Sequence, residues 1–112
     1  PHLVDFAIVA DLARLTCGLD LSREDVVQIG KNVLDAERLF NTREGVTRAD
    51  DTLPKRYFDD PMPLRMAAGH RIEREGFGKM LEEYYALRGW TKDGMLGKER
   101  KSEIEGWLAA LA

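Results

Sequence analysis

Apolar residues in this chain recur at steps of three and four, and no segment sustains the alternation of a half-buried strand. Val26, Ile29, Val33, Ala36 and Phe40 make one such stripe. Phe77, Met80, Leu81, Tyr84 and Leu87 make a second, and Ile104, Trp107, Leu108 and Leu111 a third. That period permits helices and little else. The fold class it predicts is all-α, a small bundle of about four main helices with a long irregular central loop. Residues 1–112 then form a single helical domain.

Residues 3–17 depart from this pattern. Their only charges are Asp5, Asp11 and Arg14, and the remaining positions are apolar on nearly every side of a helix. Such a helix is buried on most of its faces. A domain of this size buries only about two thirds of its unfolded surface, so part of this helix is expected to face something outside the chain. The opening Pro1-His2-Leu3-Val4, with no Met and an immediate apolar run, reads as a fragment or a processed chain.

Local signals set the other boundaries. Ser22 and Asp25 have capping-box spacing, with Asp in place of Glu or Gln, and start the second helix. Gly45 is a natural stop for it. Val46 to Arg71 reads mostly as loop, with a short turn begun by Thr47 and Asp50. Pro54 is expected at the first position of another brief helical turn, Lys55 to Phe58. Pro61 and Pro63 enforce extended backbone around them. A connection this long and irregular usually lies across a neighbouring surface. A third helix is predicted from Arg74 to Arg88. Gly76 and Gly78 each cost about 1 kcal/mol against Ala inside it, so its first turn should fray or start late. Gly89 ends it, Lys92-Asp93-Gly94 turns the chain, and a last helix spans Lys98 to Leu111.

Charge and cysteine usage exclude several classes. The net charge is −3, with bases interleaved among acids, which argues against a nucleic-acid partner. No apolar run is long enough for a bilayer, so no membrane partner is expected. The single cysteine, Cys17, permits no intrachain disulfide. In its apolar surroundings it reads as a buried small hydrophobe. The setting expected is reducing and cytoplasmic.

No reading of the residues alone assembles an active site. Asp50-Asp51 and Asp59-Asp60 are paired carboxylates, but they sit where turns begin, which favours capping or solvated loop charge. His2 and His70 are isolated, without metal-ligand spacing, and His70 is expected in a loop hydrogen bond. No nucleophile elbow, phosphate loop or dinucleotide fingerprint occurs. Tyr84, Tyr85 and Trp90 read as core aromatics rather than a stacking platform. Glu37-Arg38 and Arg43-Glu44 leave two readings open: a buried pair network that fixes a geometry, or an ordinary solvated helix end.

Three stretches together resemble the C-terminal region of the aldehyde ferredoxin oxidoreductase family. They are Glu37-Arg38-Leu39-Phe40-Asn41-Thr42-Arg43-Glu44-Gly45, then Thr47 to Phe58, then Lys79 to Trp90 followed by Asp93-Gly94. The stretch Thr16 to Gly30 resembles the family's approach to the first of these. The chain departs from the family pattern at Gly76, Gly78 and Gly97, where better helix formers or a stronger cap are usual.

The resemblance implies the C-terminal part of a large cytoplasmic enzyme that oxidises aldehydes to carboxylic acids and passes the electrons to ferredoxin. It implies a tungsten ion held by two pyranopterins (a molybdopterin-type cofactor) beside an iron-sulfur cluster of the 4Fe-4S type, ligated by Cys-x-x-Cys-x-x-x-Cys and a distant fourth Cys. Cys17-Gly18-Leu19 does not match the Asp-x-x-Gly-Leu-Cys motif that ends in that fourth ligand. No catalytic, cofactor-binding or metal residue is therefore assigned here, and the fragment alone is expected to be inactive. The expected partners are the missing N-terminal and central domains and, for the intact enzyme, ferredoxin. Arg43, Glu44, Asp50 and Asp51 are the residues expected to organise the central loop against that body. An isolated chain should expose an apolar patch and tend to self-associate. An independent helical interaction module is the alternative reading.

Overall fold

Two reciprocal caps show how closely local chemistry sets the helix starts. In a computed structural model, which describes residues 5–63 and 68–112, the Ser22 hydroxyl accepts from the Asp25 N–H at 3.1 Å, while the Asp25 carboxylate accepts from the Ser22 N–H at 2.8 Å. Both orphan donors of the first turn are thereby satisfied. Thr47 and Asp50 repeat the arrangement at the head of a short 3-10 turn, Arg48–Asp50.

The element order is α1 (Phe6–Cys17), α2 (Arg23–Arg43), the 3-10 turn, α3 (Arg56–Asp59), α4 (Arg74–Arg88) and α5 (Lys98–Leu111). Among the described residues no strand occurs, only an isolated antiparallel bridge between Trp90 and Leu96. The all-α reading holds, with four main helices and one four-residue helix in the central loop. No described helix is long and apolar enough to cross a membrane.

Several local expectations need correction. The brief helical turn expected at Lys55 to Phe58 is present as the helix Arg56–Asp59, but its N-cap is Lys55, so Pro54 stands one position before the cap and not at the first helical position. α4 begins at Arg74 despite Gly76 and Gly78. Its start is secured by tertiary contacts that sequence spacing does not show: Arg74 pairs with Asp59 at 2.6 Å and lies 4.6 Å over the Phe58 ring, which in turn meets Phe77 edge-on at 5.5 Å. Cys17, expected to be buried, is exposed. It is the last residue of a helix that is covered on only a small part of its surface. His2 lies outside the described residues.

The larger departure concerns which faces are inside. The apolar stripe of α2 is poorly covered, with Ile29, Val33 and Phe40 exposed, Phe40 to 64%. The buried residues of α2 are Asp35, Arg38 and Leu39, which lie about 150° around the helix from that stripe at 3.6 residues per turn. In α4, Met80, Tyr84 and Leu87 point outward, Leu87 to 88%, while Tyr85 is buried. In α5 only Ile104 of the expected stripe is buried. The hydrophobic core is small, consisting of Leu39, Leu96 and Ile104 with Ala36 and Trp90 packed against it. The radius of gyration is 18.3 Å, against about 13 Å for a compact domain of this length. The helices are well formed, but they do not close over their own apolar faces.

Candidate functional site

The most organised part of the molecule lies where α2, α4, α5 and the central loop converge, and its contents are ionic. Asp35 is 2% exposed and Arg38 7% exposed, each in a chain with few buried residues of any kind. A carboxylate so far from water is tolerated only when its lone pairs are filled by donors.

Asp35 is filled from two other helices. Arg88, near the end of α4, donates to its Oδ1 at 2.5 Å, and the Trp90 indole N–H reaches the same oxygen at 2.9 Å. Arg100, in the first turn of α5, donates its Nε to Oδ2 at 2.8 Å. Arg100 also reaches Asn32 at 2.8 Å and Glu103 at 3.0 Å, and Arg88 donates to the Lys31 carbonyl at 3.1 Å. Arg88 Nε is buried without a partner among the described residues. Burial pushes the Asp35 carboxyl up, but hydrogen bonds from Arg100, Trp90 and Arg88 outweigh it and hold the group below the usual carboxylate range.

Arg38 builds a second centre one helical turn further along α2. Its two terminal nitrogens bind both oxygens of Asp51, at 2.8 and 2.7 Å, in the bidentate geometry that suits a planar guanidinium. Its Nε donates to the Gly94 carbonyl at 2.6 Å. The Tyr85 hydroxyl donates to Asp51 as well. The guanidinium sits 5.2 Å from the Trp90 ring centre and 5.8 Å from that of Tyr85, so it is held by π-faces and by the carboxylate. Burial again favours the neutral acid, and the bonds from Arg38 and Tyr85 override it, keeping Asp51 ionised. Burial and the bond to Asp51 raise the Tyr85 hydroxyl above its ordinary value, so it stays a donor.

Gly94 makes this close packing possible. Its φ is +71°, and a Cβ there would overlap the Arg38 guanidinium and fall 2.7 Å from the Tyr85 ring. A side chain at this position would separate the arginine from the carbonyl that it binds.

Beside this centre lies an open cleft of about 440 Å³ between α2 and α4, lined by Leu34, Glu37 and Asn41 of α2, Phe77, Leu81 and Tyr84 of α4, and Asp50 and Thr52 of the central loop. The charged side chains of the two ionic centres are bound to one another, so what they can do chemically is hold three helices and the central loop in place.

The four residues expected to organise the loop separate here. Asp51 is part of the Arg38 centre. Asp50 faces solvent and caps its own turn through Thr47. Arg43 is the last residue of α2 and Glu44 its C-cap, both exposed, and no ion pair forms to either among the described residues. Of the two readings of the charges on α2, the buried network is right for Arg38 alone, while Glu37 is exposed.

Asp35, Arg88, Arg100 and Gly94 were not marked by the sequence. A partial signal exists, since Asp35, Arg38, Leu39 and Thr42 share the i, i+3, i+4, i+7 spacing of a buried face. The arginines that complete Asp35 lie 53 and 65 positions away, beyond any local pattern.

The fold and its ionic centre define a helical unit whose cores are closed by arginine-carboxylate clusters. A family model described as "Aldehyde ferredoxin oxidoreductase, domains 2 & 3" matches residues 1–105, and the chain belongs to this family. It is 44% identical over 95 residues to the tungsten-containing aldehyde ferredoxin oxidoreductase of Pyrococcus furiosus, and 42% over the same length to that of Thermococcus kodakarensis. The counterpart in Pyrococcus horikoshii is 40% identical. Each match takes in 84% of this chain but only 15% of the relative.

Proposed function

We propose that this chain is the C-terminal helical part of an enzyme that oxidises aldehydes to carboxylic acids with tungsten-bispyranopterin and a 4Fe-4S cluster, passing electrons to ferredoxin. The observation that carries this is the identity to tungsten-containing aldehyde ferredoxin oxidoreductases over 84% of the chain. The enzyme is cytoplasmic in this reading, and the chain's partners are the other domains of the same enzyme.

The residues present do not fit those cofactors. A 4Fe-4S cluster takes four thiolates, whereas the sequence has one cysteine, Cys17, which lies exposed at the end of α1. Among the described residues no group of three His, Cys, Asp or Glu side chains is placed to hold a metal ion. The carboxylates best placed in the interior are already engaged by donors, Asp35 by Arg88, Arg100 and Trp90 and Asp51 by Arg38 and Tyr85. No catalytic step is therefore assigned to residues of this chain. Its contribution is architectural: a set of helices with a rigid ionic interior, turning apolar faces of α1, α2 and α4 toward the cofactor-bearing body. Those faces favour the domain reading over an independent interaction module, because a free module would carry large exposed side chains such as Phe40 and Leu87 at a cost in solubility.

The test is direct. The chain, purified and reconstituted anaerobically with iron and sulfide, should show no stoichiometric thiolate-iron band at about 400 nm, should retain no tungsten, and should not oxidise aldehydes. A stoichiometric band or measurable turnover would overturn the assignment of cofactor binding to other domains. Sedimentation should show self-association, together with binding of an apolar dye. A clean monomer at high concentration without dye binding would favour the independent module.

A further inference from the structure

We propose that residues 46–53 form an ionic strap laid across α2 and α4, and that Arg38 couples the seating of this strap to the turn that starts α5. The strap has little apolar anchorage, with only Val46 and Leu53 half-buried among its aliphatic residues. Its regular structure is one 3-10 turn, closed by its own cap. It is held instead at two charged points.

The first point is Arg48, whose guanidinium donates to the Lys92 carbonyl at 2.8 Å, pairs with Glu82 of α4 at 3.1 Å and lies 5.6 Å from the Tyr85 ring centre. The second is Asp51, taken by both terminal nitrogens of Arg38 and by the Tyr85 hydroxyl. Both fastenings lead to the same place. Lys92 and Gly94 belong to the turn between the Trp90–Leu96 bridge, and Arg38 donates to the Gly94 carbonyl with the nitrogen that Asp51 leaves free. A single guanidinium therefore completes its donor set with a strap carboxylate on one side and a turn carbonyl on the other.

Removing Asp51 would leave Arg38 a buried cation with one acceptor, free to shift from Gly94, and a buried charge that loses its counterion is unstable in place. The coupling is reciprocal, as any linkage between two bound elements must be. Gly97, the N-cap of α5, follows directly on the bridge. Whatever lifts the strap thus loosens the root of α5. Asp35, by contrast, joins α2 to α4 and α5 without touching the strap.

Amide hydrogen exchange on the full chain, read by mass spectrometry, separates these roles. Asp51→Asn should raise exchange by on the order of tenfold, the scale of a lost charge-assisted bond, in 47–52 and in 91–96 together. Arg48→Ala, at a more exposed residue, should raise both segments by a smaller factor. Asp35→Asn releases Arg100 and Trp90 and leaves Asp51 in place, so it should speed exchange at the start of α5 most and, through the reciprocal coupling, raise 47–52 by a smaller factor than Asp51→Asn does. An increase confined to 47–52 in either of the first two variants would overturn the coupling. Loss of protection throughout α2 in Arg48→Ala would overturn the strap, because the segment would then be part of the core.

Discussion

The amino-terminal arm and the convergence of α2, α4 and α5 are built on opposite principles. α1 is rich in apolar residues and capped at both ends, by Asp5 and by left-handed Gly18, yet Ile8, Leu12 and Leu15 stay exposed and only Ala10 is buried. The other region buries two carboxylates and three arginines in or near its interior, beside a core of three aliphatic residues. The contrast teaches that apolar content does not decide what is inside. A helix face is buried when another element is present to cover it. Here the elements of the chain cover the charged face of α2, while Ile29, Val33 and Phe40 on its apolar stripe and Met80, Tyr84 and Leu87 on that of α4 stay exposed. Ionic clusters suit this arrangement, since they fix one relative placement of three helices without using that apolar area.

The comparison is broken most severely at Asp35. Asp35→Ala leaves Arg88 and Arg100 without their shared acceptor and should cost about 3–5 kcal/mol, the scale for an unpaired buried charge, read as a lower denaturation midpoint in urea. A loss no larger than that of a surface substitution would mean that the cluster is not structural. Acid should act on the same region. The folded values of Asp35 and Asp51 lie below the unfolded ones, so their stabilisation is fully present above about pH 4 and is lost as pH falls through the depressed folded values. Thermal midpoints measured down to pH 2.5 or so should fall steeply in the native chain, and much less in an Asp35→Asn, Asp51→Asn double variant.

Smaller effects sharpen the other side. Ser22→Ala removes one half of the α2 capping box and should cost about 1 kcal/mol by chemical denaturation, with Ser22→Gly costing less. Leu87→Glu places a charge on the stripe that periodicity assigns to the core. Because Leu87 is 88% exposed, the stability of the chain should change by no more than about 0.5 kcal/mol, while its self-association in sedimentation should weaken. A loss of several kcal/mol would show that the stripe is covered within the chain after all.

Helix positions were the most legible part of the fold. The C-terminal end of α4, the span of α5 and the start of α2 follow from caps, glycines and spacing, which act within a few residues and need no tertiary partner, whereas the start of α4 does not. The candidate site was legible only in part. Asp51, one of four charged residues picked out near the loop, joins the Arg38 centre, while Arg43, Glu44 and Asp50 lie on the surface, where a role toward the rest of the enzyme would also place them. Beyond the spacing that Arg38 shares with Asp35, Leu39 and Thr42, nothing local distinguishes this buried arginine from Arg43, five residues further along the same helix. The difference comes from Trp90, Gly94 and Asp51, which approach α2 from distant parts of the chain.

The sequence by itself determined that this protein is helical, where most of its helices begin and end, and which family its motifs resemble, because each of these rests on short-range spacing and residue identity. Only the tertiary structure decided which face of each helix is inside. Burial depends on what stands opposite, and opposite the α2 face that carries Asp35 and Arg38 stand two arginines, an indole, a tyrosine and a glycine carbonyl, brought there from 47 to 65 residues away.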